Sequence, residues 1–183
     1  MPTPDGQLVY DENFENILRP HRAALTPKCI DRLKSEAGVD VSTKLRPNYP
    51  RPAFDKTLLI LAQEIYPTKS LEKATLQLGE DIIAPFQGSV LGKAILGVIK
   101  LIPIKSSLRR LPGYLKSGNN YIEATVVETG EFSYDLTLNE MGAYPQYWVG
   151  VMSAGNRILG YAQSSVTLVA YDGHKGTLRI KLK

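Results

Sequence analysis

Residues 121–140, YIEATVVETGEFSYDLTLNE, decide the fold, because here the spacing of apolar side chains passes from a helical period to that of a strand. Phe132, Tyr134, Leu136 and Leu138 alternate with Ser133, Asp135, Thr137 and Asn139. A period of two puts one set on a buried face and the other in water. The pattern predicts an antiparallel hairpin whose partner strand is 121–128, with a tight connection at Thr129, Gly130 and Glu131.

Toward the C-terminus, YPQYWVGVMSAGNRILG returns to helical spacing, with Trp148, Val151, Met152, Gly155, Ile158 and Leu159 on one face. Pro145 suits its first position and Gly160 its end. The last stretch, SSVTLVAYDGHKGTLRIKLK, reads as two strands around a glycine-rich turn. Leu178, Ile180 and Leu182 point inward there, and Thr177, Arg179 and Lys181 outward.

Toward the N-terminus the period is helical on either side of one extended connection. Phe14, Ile17 and Leu18 mark a short helix ending at Pro20. In TPKCIDRLKSEAG, Thr26 caps, Pro27 opens the helix, Ile30, Leu33 and Ala37 share a face, and Gly38 closes it. VDVSTKLRPNYPRP, with three prolines, is an extended surface connection. A helix then starts near Pro52 and carries Phe54, Leu58, Leu61, Ala62 and Ile65 on one stripe. Ser70 caps the next, whose Leu71, Ala74 and Leu78 continue the stripe to Gly79.

Residues 90–102 form a further predicted helix, apolar around most of its circumference, with Lys93 and Lys100 seven apart on one narrow stripe. It is expected to be central and buried. A membrane span needs roughly 20 apolar residues with few charges, and Pro85, Lys93, Lys100 and Pro103 interrupt this run. Gly88 and Gly92 form a small-xxx-small pair suited to close helix packing. The expected fold is therefore α+β, with N-terminal helices packed on a four-stranded antiparallel sheet of ββαββ order.

At 183 residues, 43% hydrophobic and 22% charged, the chain suits a single domain over 1–183, with 1–13 as a loosely ordered N-terminal segment. One cysteine, Cys29, excludes an internal disulfide, and the N-terminus lacks the basic start and apolar stretch of a signal peptide. A cytoplasmic location is expected.

The run IYPTKSLEKATLQLGEDIIAPFQGSVLGKAI resembles a family of unknown function, of about this length, that is expanded as paralogues in myxobacteria. The resemblance is carried by Pro67, the Leu71 to Ala74 spacing, Leu78 with Gly79, and the later Gly118, Asn119 and Asn120. It covers the chain from about Ile30 onward and brings no catalytic residues with it. More remotely, helices followed by ββαββ resemble the superfamily of haem-nitric-oxide sensor domains, four-vinyl-reductase domains and small subunits of the TRAPP transport particle. That resemblance implies a pocket between helices and sheet, often in a dimer, although fold alone does not fix function. A haem sensor needs a proximal histidine on a helix, whereas His21 follows Pro20 and His174 sits in a predicted turn. Neither suits haem, and a lone cysteine cannot supply the metal-type cysteines of a vinyl-reductase domain.

Nucleophile-elbow, phosphate-loop and zinc-protease motifs are absent from the sequence. Charge is the clearest asymmetry: between Asp81 and Glu123 the chain holds Lys93, Lys100, Lys105, Arg109, Arg110 and Lys116 and no acidic residue. One reading is a contact for an anion, a lipid headgroup or an acidic protein; the other is a solvated rim around a buried helix. Tyr144, Tyr147 and Trp148 suit either a pocket mouth or the core. Aromatic residues do not interleave with the cations as a nucleic-acid platform requires.

The expected function is a non-enzymatic module that binds an apolar or amphipathic small molecule between its central helix and sheet. Lys93, Arg109, Arg110, Tyr147 and Trp148 are its candidate site residues. No cofactor, metal or specific nucleic acid is expected, the partners being an apolar or anionic small molecule or another protein, in a homodimer. The competing reading is a dimeric scaffolding domain without a ligand.

Overall fold

The computed structural model describes residues 6–84 and 104–183. The expected helix at 90–102, the Gly88 and Gly92 pair and the candidate Lys93 lie outside the described residues. The first half holds β1 (Leu8–Tyr10), α1 (Asp11–Leu18), a 3-10 segment (Arg19–Ala24), α2 (Pro27–Glu36), β2 (Asn48–Pro50), α3 (Arg51–Ile65) and α4 (Leu71–Asp81). The second half holds α5 (Ile104–Ser117), β3 (Ala124–Gly130), β4 (Ser133–Leu138), α6 (Pro145–Ile158), β5 (Ser165–Tyr171) and β6 (Gly176–Lys181). The α+β class is as expected.

Four strands pair antiparallel in the order β3-β4-β6-β5. Leu136 lies opposite Val126 on one side and Leu178 on the other, and Leu178 opposite Leu168. These pairs place Tyr134, Leu136, Leu138, Leu178 and Ile180 on one buried face. On the other face Arg179 donates to Asp135 through Nε (2.9 Å) and Nη2 (2.8 Å), and Thr137 meets Thr177 at 3.0 Å.

The hairpin turn corrects one expectation. Phe132 is half-exposed at positive φ (59°), because the ladder closes at Gly130 and Ser133 and leaves Glu131 and Phe132 to turn the chain. The partner strand begins at Ala124, not Tyr121. Before it, Asn119 Oδ1 accepts from the backbone N–H of Tyr121 (3.1 Å) and Ile122 (2.6 Å), holding that stretch off the ladder.

Residues 8–13 are folded, not loosely ordered. β1 pairs with β2, and Val9 is buried. Asn120 holds this strand, accepting from Leu8 N–H and donating to Gly6 O, both at 2.8 Å. The proline-rich connection likewise differs from a surface crossing: Val39, Leu45 and Tyr49 are buried. Tyr49 packs on Phe14 at 4.6 Å between ring centroids, and Phe14 on Phe54 at 5.2 Å. This aromatic group anchors a helical core with Ile17, Leu18, Leu33, Ile60, Leu61 and Leu78. Thr26 and Ser70 cap α2 and α4 as expected, accepting from Cys29 N–H (3.2 Å) and Lys73 N–H (3.5 Å).

Leu71, the first residue of α4, is 41% exposed and does not join the stripe. Gly79 does not end α4, which continues to Asp81. Its role is at a helix crossing. A Cβ on Gly79 would stand 2.1 Å from Tyr147 O, and one on Gly150 would stand 2.0 Å from Leu76 O. The absence of side chains at these two positions lets the backbones of α4 and α6 touch. The N-terminal helices therefore reach the sheet chiefly through α6, while α5 and α6 lie against its strands directly. Sandwiched this way, α6 buries Tyr147, Val149, Gly150, Met152, Ala154 and Asn156 all round its axis, a wider set than the single expected face.

Candidate functional site

Where α5, α6 and the sheet meet, they line a cavity of about 510 Å³ that is open to solvent on one side, within the range of roughly 300–1,000 Å³ usual for small-molecule sites. α5 contributes Ser107, Leu108, Arg110, Leu111, Tyr114 and Leu115. These recur at offsets of three and four, the spacing of one helical face. Pro112 within α5 has no N–H for the Leu108 carbonyl, which loosens the helix beside the cavity. α6 contributes Val151, Met152, Gly155, Asn156 and Ile158, its C-cap Leu159 and β6 Ile180 add to these, and Ile82 and Ile83 after α4 complete the described lining.

Two features of α6 shape this space. A Cβ on Gly155 would meet no described residue within 4 Å, so the missing side chain keeps volume open there. Asn156, one residue on, is only 4% exposed, and its Nδ2 has no hydrogen-bond partner among the described residues. A buried unsatisfied amide N–H costs about 1–3 kcal/mol. It is the kind of buried polar group whose presence in a native structure calls for a reason.

The expected site residues separate. Arg110 is exposed and borders this cavity. Arg109 faces a second groove of about 350 Å³ with Lys105, Leu108, Pro112, Val126, Glu128 and Tyr134, where Lys105 Nζ meets Glu128 Oε1 at 2.8 Å. Tyr147 is buried, edge-on to Phe54 (5.9 Å) and Trp148 (5.5 Å), and burial pushes its hydroxyl pKa well above the ordinary range. Trp148 donates through Nε1 to Met141 O at 2.9 Å. Both aromatics border a smaller void of about 100 Å³, which shares Ile82, Tyr114, Leu115 and Val151 with the large cavity. Sequence reasoning missed Ser107, Tyr114, Gly155 and Asn156. The signal for the last was a polar side chain four residues after Met152 on an apolar helix.

A second polar group lies elsewhere. Arg51, buried in α3, meets Glu140 Oε1 at 3.0 Å and Asp55 Oδ2 at 3.5 Å, and its Nη1 donates to Gln7 Oε1 at 3.3 Å. Glu140 Oε2 lies 3.1 Å from His174 Nδ1 in the β5–β6 turn. Burial raises the Asp55 carboxyl pKa, opposed by Arg51 and by a hydrogen bond from Ala143 N–H. The group ties α3 to the segment after β4 and to the last hairpin. His21 is also buried, its ring edge-on to Tyr66 at 6.0 Å and its Nε2 3.5 Å from Asp81 Oδ2. Burial lowers its pKa, against the pull of Asp81.

The sequence family described as "Protein of unknown function (DUF2378)" matches residues 7–181, and the chain belongs to that family. No curated protein matches this chain in sequence. Among solved structures, one from work on modulating haem redox potential through protein-induced porphyrin distortion aligns with a TM-score of 0.68 at 11% identity, covering 94% of this chain and 99% of its own. An oxygen-binding H-NOX domain related to soluble guanylate cyclases aligns at 0.65 and 11% identity, covering 94% of each chain. An unliganded Fe(II) H-NOX mutant from K. algicida aligns at 0.63 and 14% identity, covering 95% of this chain and 96% of its own. The fold is H-NOX-like.

The residues present do not fit haem. The sequence has two histidines, His21 and His174, and one cysteine, Cys29. None of the three borders the cavity: His21 sits against Asp81 and Tyr66, His174 against Glu140, and Cys29 in the first turn of α2. A haem in this space would have neither imidazole nor thiolate as axial ligand. Among the described residues, no helix is long and apolar enough to cross a membrane.

Proposed function

We propose that this chain is a non-enzymatic sensory module that binds an apolar or amphipathic small molecule, without haem, in the cavity between α5, α6 and β6. The observation that carries the reading is the cavity itself: about 510 Å³, lined chiefly by aliphatic side chains, with Arg110 beside it. Apolar walls supply affinity through removal of ligand surface from water, and a few polar groups fix orientation. Arg110 and Tyr114 are the ionisable side chains among the described lining residues, which favours holding a molecule over moving protons. The likeness to an oxygen-binding H-NOX domain supports a sensing role at the level of fold.

The homodimer reading would use the sheet edges β3 and β5, where Val127 and Val169 are exposed. Native mass spectrometry of the full chain, purified without added ligand, tests the leading reading. The expected spectrum shows a bound species of one to a few hundred daltons that is lost on mild activation. A spectrum of bare protein, together with no saturable binding of an apolar dye, would overturn it.

A further inference from the structure

We infer that the ligand of this cavity is a carboxylate-headed apolar molecule that carries a neutral acceptor oxygen within its apolar body. This deepens the reading just given and rests on it. Two polar groups at different depths carry the inference. Arg110 borders the cavity from an exposed position on α5, and its guanidinium fork matches a carboxylate while leaving the charge hydrated. Asn156 borders the same cavity at 4% exposure, with an Nδ2 that finds no acceptor among the described residues.

An amide NH2 offers two donors and no acceptor, so its complement is an oxygen lone pair. A plain hydrocarbon chain laid against it would leave the donor orphaned. A second carboxylate would have to be desolvated at depth, whereas a ketone or similar neutral oxygen is satisfied there without burying charge. The anionic end therefore goes to Arg110 and the neutral acceptor to Asn156, with Leu111, Met152, Leu159 and Ile180 around the chain between them.

The test uses 1-anilinonaphthalene-8-sulfonate displacement from the delipidated full chain, comparing octadecanoate with 10-oxooctadecanoate and each acid with its methyl ester. The oxo acid is expected to displace the dye at roughly tenfold lower concentration than the plain acid, the size of one hydrogen bond to a buried donor. Asn156→Leu should make the two acids equal. Arg110→Gln should bring both acids to the level of their esters while keeping the oxo preference. Equal displacement by the two acids in the unaltered protein, a result needing no variant, overturns the inference and assigns Nδ2 to a buried water. So does an oxo preference that survives Asn156→Leu, or an acid preference that survives Arg110→Gln. If neither dye nor lipid binds, the ligand-binding reading fails as well. If they bind without preference, only this two-point assignment falls.

Discussion

Gly150 and Gly155 stand on one helix, five residues apart, and do opposite things. A methyl group at Gly150 would run into the Leu76 carbonyl at 2.0 Å and the Glu80 nitrogen at 2.9 Å, whereas one at Gly155 would touch no described residue within 4 Å. The first glycine removes a side chain so that two backbones can close. The second removes one so that a space stays open. α6 is thus sealed against α4 on one face and hollow toward α5 and β6 on another. The residue type is the same in both places, and only the neighbours tell which function it serves.

The seam gives the largest expected effect. Gly150→Ala should destabilise the fold by about 3 kcal/mol or more, since neither backbone can yield without shifting a helix. A urea midpoint measured by circular dichroism checks this, and a loss under about 1 kcal/mol would mean the helices do not touch there.

The hollow face should respond in the other direction. Asn156→Leu removes a buried donor that has no partner among the described residues and should stabilise the ligand-free protein by about 1–2 kcal/mol. Calorimetric melting reads the gain, and a destabilisation would show that the amide is satisfied in solution. Gly155→Ala should stabilise by about 0.5–1 kcal/mol, because it restores helix propensity without meeting any of the described residues.

The smallest effect is titration at the end of the seam. His21 has a pKa lowered by burial against Asp81, which also accepts from the Tyr66 hydroxyl. A base with a depressed folded pKa gives stability that is complete above its unfolded value of about 6.5 and is lost as pH falls through the folded one. Stability should therefore decline on acidification below about pH 6.5, and His21→Gln should flatten that slope. An unchanged slope would place the acid sensitivity elsewhere.

What was legible in the sequence is what local spacing encodes. The alternation at Tyr134, Leu136 and Leu138, the caps Thr26 and Ser70, and the proline that opens α6 each act within a few residues of themselves. The illegible parts need a partner far along the chain. β1 and β2 are three residues each, too short to show a period, and exist because they pair with one another. Gly79 reads locally as a helix stop, and its true role depends on Gly150. Pro112 reads locally as a helix breaker, yet α5 runs through it. For the site, Arg110 from the charge run borders the cavity. Tyr147 and Trp148 went instead to an aromatic cluster with Phe54, the ordinary fate of large rings on a sandwiched helix.

The most direct test of the central claim, that the space beside Gly155 is a ligand site, is saturable dye binding by Gly155→Phe compared with the unaltered chain. The account predicts one 1-anilinonaphthalene-8-sulfonate bound per unaltered chain. In the variant it predicts binding at least tenfold weaker, with the melting temperature unchanged or raised. Equal affinity in a folded Gly155→Phe protein would contradict it.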